Sequence, residues 1–345
     1  TYWPGSPYSR EHADPSAATE GDRHIWDVWH GKKLDYQDYG TLIGRFASEF
    51  GLEGLPDRAV LARSLGDQLS VDTLPLVNHA TDGTERILHY LSRNVKLPQS
   101  LDEYIYATQL VQAEAMAYAV RTFRRKFGGK NGVECGGALI WQLDDCWPGI
   151  SWSLIGYCDE GDTVAPRKPS YYAVRRELLP CCIGLERGES PSTIDAWIVV
   201  QSPEVVRATV KLRGFSCAGS CLFETERSLL LPPDQATELG SFALPETSEP
   251  VIVCAQLFIA GKLVARSVLW PQPLRSLPLA DPGIVVEKKG DTLRLSAQRP
   301  AKGVLISAER PLAFSDNLVD LVPGEVVEVT APGLGAAAIE VKNLH

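Results

Sequence analysis

Gly136-Gly-Ala-Leu-Ile-Trp-Gln-Leu143 is a short, nearly uninterrupted apolar run opened by two glycines. Such a run suits a parallel strand covered on both faces, because only there does the usual apolar/polar alternation disappear. Upstream lies a helix. Ser100-Leu-Asp-Glu103 has the form of a capping box, in which hydroxyl and carboxylate satisfy backbone donors at the helix start. Tyr104, Ala107, Val111, Ala115 and Tyr118 then recur at steps of three and four, with Met116, Val120, Phe123 and Phe127 widening the stripe until Gly128-Gly129 ends it. Downstream, a second helix is expected from Pro169 to Leu179, stopped by Pro180. Farther upstream, residues 43–49 read as another short strand and 57–69 as a helix. Strand, helix, helix, strand, helix is the rhythm of an α/β barrel or a doubly wound sheet.

After residue 181 the texture becomes β throughout. Ala196-Trp-Ile-Val-Val200, Ala208-Thr-Val-Lys-Leu212, Val251-Ile-Val-Cys-Ala255 and Lys262-Leu-Val-Ala-Arg266 are strands separated by Pro, Gly and Ser turns, the spacing of an immunoglobulin-like sandwich. The proline-rich stretch Pro271-Gln-Pro-Leu-Arg-Ser-Leu-Pro278 is the best linker candidate, and residues 283–341 form a second small β unit.

Composition narrows the function classes. The 345 residues are 44% hydrophobic and 22% charged, with a net charge of −9 and no Lys/Arg cluster able to track a phosphate backbone. Nucleic acid and anionic membranes are therefore poor partners. No run approaches the roughly 18 apolar residues of a membrane span. The eight cysteines lack the spacing of a disulfide framework or a zinc cluster, and no Asn-x-Ser/Thr sequon occurs, so reduced thiols in an intracellular protein are expected. The opening TYWPGSPYSR carries neither an initiator Met nor a signal peptide, as if taken from the middle of a longer chain.

Three segments carry candidate chemistry. In Arg45-Phe-Ala-Ser-Glu-Phe-Gly51, Glu49 ends a strand, where barrel enzymes keep their reactive groups; the alternative is a salt-bridge partner. Gly21-Asp-Arg-His-Ile-Trp-Asp-Val-Trp-His-Gly31 packs two Trp and two His into eleven residues. Indoles suit the apolar faces of sugars while His and Asp bond the hydroxyl rim, although an aromatic core cluster has the same composition. Trp141-Gln-Leu-Asp-Asp-Cys-Trp-Pro148 again sets Trp and carboxylates at a strand's end, or else a core Trp before a turn. Together the three point to a carbohydrate pocket.

These segments, with Tyr2-Trp-Pro-Gly-Ser-Pro7, Lys168-Pro-Ser-Tyr-Tyr-Ala173 and Phe314-Ser-Asp-Asn-Leu-Val-Asp-Leu-Val-Pro-Gly324, resemble the β-mannosidases of glycoside hydrolase family 2, especially fungal ones, over nearly the whole chain. The resemblance implies the C-terminal part of a (β/α)₈ TIM barrel over 1–180, an immunoglobulin-like β-sandwich over 181–273 and a small β-sandwich over 274–345. It implies a retaining exo-β-mannosidase that removes terminal non-reducing β-D-mannose from an oligosaccharide or glycan, without metal or cofactor. Glu49 matches the nucleophile; His24, Trp26, Trp29, Trp141 and Asp145 fall in segments matching the substrate pocket. The family's acid/base Glu follows an Asn, and this sequence has no Asn-Glu dipeptide, so that residue is expected in a missing N-terminal part of the same enzyme. Asp144 and Glu53 depart from the pattern, each standing where an amide is expected. β-Galactosidase, β-glucuronidase and a catalytically incomplete carbohydrate-binding fragment remain the rival readings.

Overall fold

The computed structural model describes residues 2–10, 14, 16–128 and 134–345. Its first part is organised around three parallel extended segments. Strand β1 (Arg23–His24) pairs with β2 (Ala47–Glu49). The segment quoted at the outset lies along the other side of β2, through Gly136 N to Arg45 O (2.8 Å), Ala47 N to Gly137 O (3.0 Å), Leu139 N to Ala47 O (2.8 Å) and Trp141 N to Phe50 O (2.9 Å). It is parallel, as expected, but covered on one face only. Ala138 and Ile140 pack on the core, whereas Leu139, Trp141 and Leu143 are exposed. The alternation is that of any strand, and among the described residues no layer covers its second face.

Four helices back these segments: α1 (Arg58–Leu65), α2 (Gly83–Asn94), α3 (Leu101–Arg125) and α4 (Pro169–Glu177). The sequence reading missed α2: its N-cap Asp82 makes no side-chain cap, although Ile87, Tyr90 and Leu91 recur at helical spacing and face the core. Ser100 caps α3 by accepting from Glu103 N, but the Glu103 carboxylate bonds Gln99 N rather than the N-cap's own amide. At the other end the chain turns away at Gly128, with φ +79°, a conformation that glycine adopts without strain. Gly129, the second half of the expected stop, lies outside the described residues.

Helix α3 is buried nearly all round, more than its one broad stripe suggested, because both β units dock on it. Near its C-terminus Arg125 bonds Glu186 and Glu238 at 2.9 and 2.7 Å and lies 4.2 Å over the Trp197 ring. Farther back, Lys302 Nζ meets Glu114 at 2.6 Å, and the Tyr106 hydroxyl donates to Gly303 O at 2.8 Å.

The first β unit packs β3 (Cys181–Arg187), β4 (Thr193–Val200) and β7 (Gln235–Ala243) against β6 (Cys221–Leu231), β5 (Val206–Phe215), β8 (Ile252–Ile259) and β9 (Lys262–Leu269). All pairings are antiparallel, and the inward residues of both sheets make one core. The 271–278 segment is a fitted strap, with Leu274 and Leu277 buried. In the last unit, β10 (Ile284–Lys289), β11 (Thr292–Ala297) and β14 (Val327–Thr330) face β13 (Val319–Leu321), β12 (Ala301–Ala308) and β15 (Ile339–Leu344) around a second core. All eight cysteines are free thiols. No helix among the described residues is long and apolar enough to cross a membrane.

Candidate active site

Glu49 ends β2, a quarter exposed, and two ring nitrogens lie close to its Oε2. Trp26 Nε1 donates to it at 3.0 Å, and His24 Nδ1 lies 3.4 Å away. These partners come from β1 and the residues just beyond it, tied to β2 by Ile25 N donating to Glu49 O at 2.8 Å. Oε1 has no hydrogen-bond partner among the described residues.

An aromatic wall flanks the carboxylate. The Trp26 ring stands edge-on to Trp152 and His30, with centroids 6.2 and 5.0 Å apart. Burial and the adjacent Arg86 cation lower the His30 pKa. Trp141 holds its backbone against Phe50 and is 43% exposed. The close approach explains Gly51: an added Cβ there would lie 2.1 Å from the Trp141 carbonyl oxygen.

Two expected sugar contacts are corrected. Trp29 has no exposed surface; residues 26–31 form a tight turn, with His30 N bonded to Trp26 O, so Trp26 and Trp29 diverge. Trp29 stacks on Tyr90 of α2 at 5.3 Å and belongs to the core. Asp145 is also buried. It accepts from the Ser151 and Ser153 hydroxyls, the latter at 2.7 Å, with Lys168 Nζ at 3.8 Å and His79 Nε2 at 3.9 Å. With its acceptor sites so occupied it ties down the 143–168 loop. Asp144 is exposed. Glu53 is 1% exposed, with both oxygens unpartnered, and burial pushes its carboxyl up to about 8.

The residue most clearly overlooked is Asp22. Four donors converge on it: Trp3 Nε1 and Tyr8 N on Oδ1 at 3.0 and 2.8 Å, and the Ser6 and Ser48 hydroxyls on Oδ2 at 2.6 and 2.5 Å. Burial alone would raise its pKa, but those donors hold it below the usual carboxylate value. Its sequence signal was the period of two: Asp22, His24 and Trp26 occupy alternate positions in and beside β1.

A cavity of about 880 Å³ lies elsewhere, between α3 and the two β units. None of the expected site residues lines it. Its charges are largely spent on one another, through Arg121 with Glu177 at 2.9 Å and Lys302 with Asp320 at 3.0 Å, which marks it as a seam between packed units.

Residues 192–276 match the model of the mannosidase Ig/CBM-like domain, and residues 279–341 that of an Ig-fold domain of mannosidases. Over 99% of its length the chain is 36% identical to β-mannosidase B of Neosartorya fischeri, and over 96% it is 36% identical to that of Emericella nidulans. It spans 43% and 41% of those relatives. A β-D-mannosidase from Dictyoglomus thermophilum superposes on the whole chain with a TM-score of 0.85 at 27% identity, the chain covering 42% of that protein. The Amycolatopsis orientalis exo-chitosanase shares the fold over 90% of the chain and 44% of its own, with a TM-score of 0.70 at 15% identity. The chain is thus similar to β-mannosidases over nearly all of its own length, and it spans less than half of theirs.

Proposed function

We propose that this chain contributes the nucleophile half of a retaining exo-β-mannosidase, with Glu49 as the attacking carboxylate. The observation that carries the reading is the arrangement at Glu49: a strand-end carboxylate oriented through one oxygen by Trp26 and His24, its other oxygen free, beside exposed indole surface. Oε1 attacks the anomeric carbon of a terminal β-mannosyl residue. The glycosidic C–O bond breaks with its electron pair going to the leaving oxygen, which takes a proton from a carboxylic acid. Water, deprotonated by that same group, then attacks the anomeric carbon and frees Glu49. Retention of this kind requires the two carboxyl groups about 5–5.5 Å apart. On this reading the acid/base residue belongs to the part of the relatives that the chain does not match, which makes that part the chain's obligate partner.

In the same proposal, residues 1–180 are the C-terminal part of a TIM barrel and 181–273 and 274–345 its two trailing sandwiches. Support comes from the parallel order β1, β2, 136–141, with helices packed behind it and a bare second face bearing Leu139, Trp141 and Leu143. The test is to treat the complete enzyme with a 2-deoxy-2-fluoro-mannosyl fluoride and map the labelled peptide. Label on the peptide holding Glu49 is the expected result. Label elsewhere, or turnover of β-galactosides or β-glucuronides in preference to β-mannosides, overturns the reading.

A further inference from the structure

The Ser6 hydroxyl oxygen sits between two partners, 2.6 Å from Asp22 Oδ2 and 3.0 Å from His24 Nε2. A hydroxyl has one proton to give, and an ionised carboxylate can only accept. Ser6 therefore donates to Asp22 and must receive a proton from His24, so Nε2 carries hydrogen. Ser48 cannot relax this constraint, since its own proton also goes to Asp22, at 2.5 Å. The other ring nitrogen, Nδ1, faces Glu49 Oε2. Were Nδ1 bare, its lone pair would lie 3.4 Å from a carboxylate oxygen. We propose that Asp22, acting through Ser6, is a positioning residue that fixes a proton on His24 Nε2 and so leaves a second proton shared between Nδ1 and the Glu49 carboxylate. With that proton on Nδ1, Oε2 is engaged by His24 and Trp26 together, and Oε1 is the oxygen left to react.

The part this plays in catalysis rests on Glu49 being the nucleophile; the placement of the proton does not. Asp22→Asn separates the two. Trp3 Nε1 and Tyr8 N are fixed donors and claim the amide oxygen, so the amide NH₂ is turned toward the serines, whose hydroxyls can rotate. Ser6 then receives from the amide and donates to Nε2, reversing the chain of donors and leaving Nδ1 with the only ring proton. Ser6→Ala removes just the bridging oxygen and releases the preference without touching the Asp22 site.

The measurement is a two-bond ¹H–¹⁵N correlation spectrum of the 345-residue chain labelled at histidine, the His24 signals being those lost in His24→Gln. A protonated Nε2 is expected in the parent chain, a bare one in Asp22→Asn, and a signal moved part of the way in Ser6→Ala. A bare Nε2 in the parent, or a protonated one that neither variant moves, overturns the proposal, and Ser6→Ala decides should Asp22→Asn fail to fold. In the complete enzyme, Asp22→Asn should slow fluoro-sugar trapping about tenfold, the factor between a charge-assisted and a neutral hydrogen bond. Failure of the parent enzyme to be trapped at Glu49 would sink the mannosidase reading and leave the spectroscopic result standing.

Discussion

Glu53→Gln should stabilise this protein in a way that grows with pH. Glu53 is buried beside Asn78 and the start of α2, with neither carboxyl oxygen hydrogen-bonded, and its pKa rises from 4.5 to about 8. Burial is the largest cause; the Lys168 and Arg86 cations oppose it without cancelling it. A carboxyl whose folded pKa is raised holds its proton in the native state after the unfolded chain has released it. Stability is therefore fully present below the unfolded value near 4.5 and is lost as pH rises toward 8. Between pH 5 and 8 that loss comes to about 3–4 kcal/mol at ~1.4 kcal/mol per unit. Glutamine has no proton to lose, and its buried amide carries a roughly constant cost of about 1–3 kcal/mol if unpaired. The informative quantity is thus the change in the mutational effect between the two pH values, from which groups not coupled to Glu53 cancel; Lys168, whose pKa near 8 is held up partly by Glu53, moves further down in the variant and adds a change of the same sign. Urea unfolding followed by tryptophan fluorescence at pH 5 and 8 measures it. An effect equal at both pH values, or one more destabilising at pH 8, refutes the buried, unpartnered carboxyl.

Other changes test the remaining contacts. Lys302→Met, which strands Glu114 and Asp320 at the junction of α3 and the last sandwich, should cost about 3–5 kcal/mol in urea unfolding, whereas replacing all three by neutral residues should recover much of it. Trp29→Ala should cost about 3–5 kcal/mol of stability by emptying a core position. Trp26→Phe, which removes only the indole donor to Glu49, should lower kcat/KM of the complete enzyme roughly tenfold to a hundredfold while leaving unfolding nearly unchanged. Gly51→Ala should destabilise by about 1–3 kcal/mol, since the new methyl meets the Trp141 backbone and the paired segments must part.

Where the fold could be read in advance, local chemistry and packing agreed. Ser100 caps α3 because its hydroxyl can reach Glu103 N, and the strands around Trp197, Val210 and Val253 form because alternate residues find a facing sheet. The reading failed where a segment's fate depends on distant residues. Helix α2 has no distinctive start, and it is held by what lands on it, including Trp29 against Tyr90 and Arg275 against Ser92 O. The 136–143 run gave the right strand direction but the wrong coverage, since hydrophobicity alone cannot say whether Leu139 and Leu143 meet partners in the same stretch of chain.

The candidate site shows the same division more sharply, because composition can only name a segment while geometry separates the residues within it. Trp26 and Trp29 are equivalent in a list of aromatics, yet the turn at 26–31 sends one to Glu49 and the other into the core. Asp145 and Asp22 are both buried aspartates, and both are satisfied by serines. They differ in what lies beyond the serine. Past Ser151 and Ser153 lie the Gly54 amide and the Gln112 side chain, contacts that pin the 143–168 loop to the core, so Asp145 holds structure. Past Ser6 there is an imidazole whose far nitrogen faces Glu49, so a proton position at Asp22 has consequences at the carboxylate. Function in this region is therefore a property of the path of hydrogen bonds, and the sequence carried it only as a weak alternation, Asp22, His24, Trp26, whose value becomes visible once β1 is seen to lie against β2.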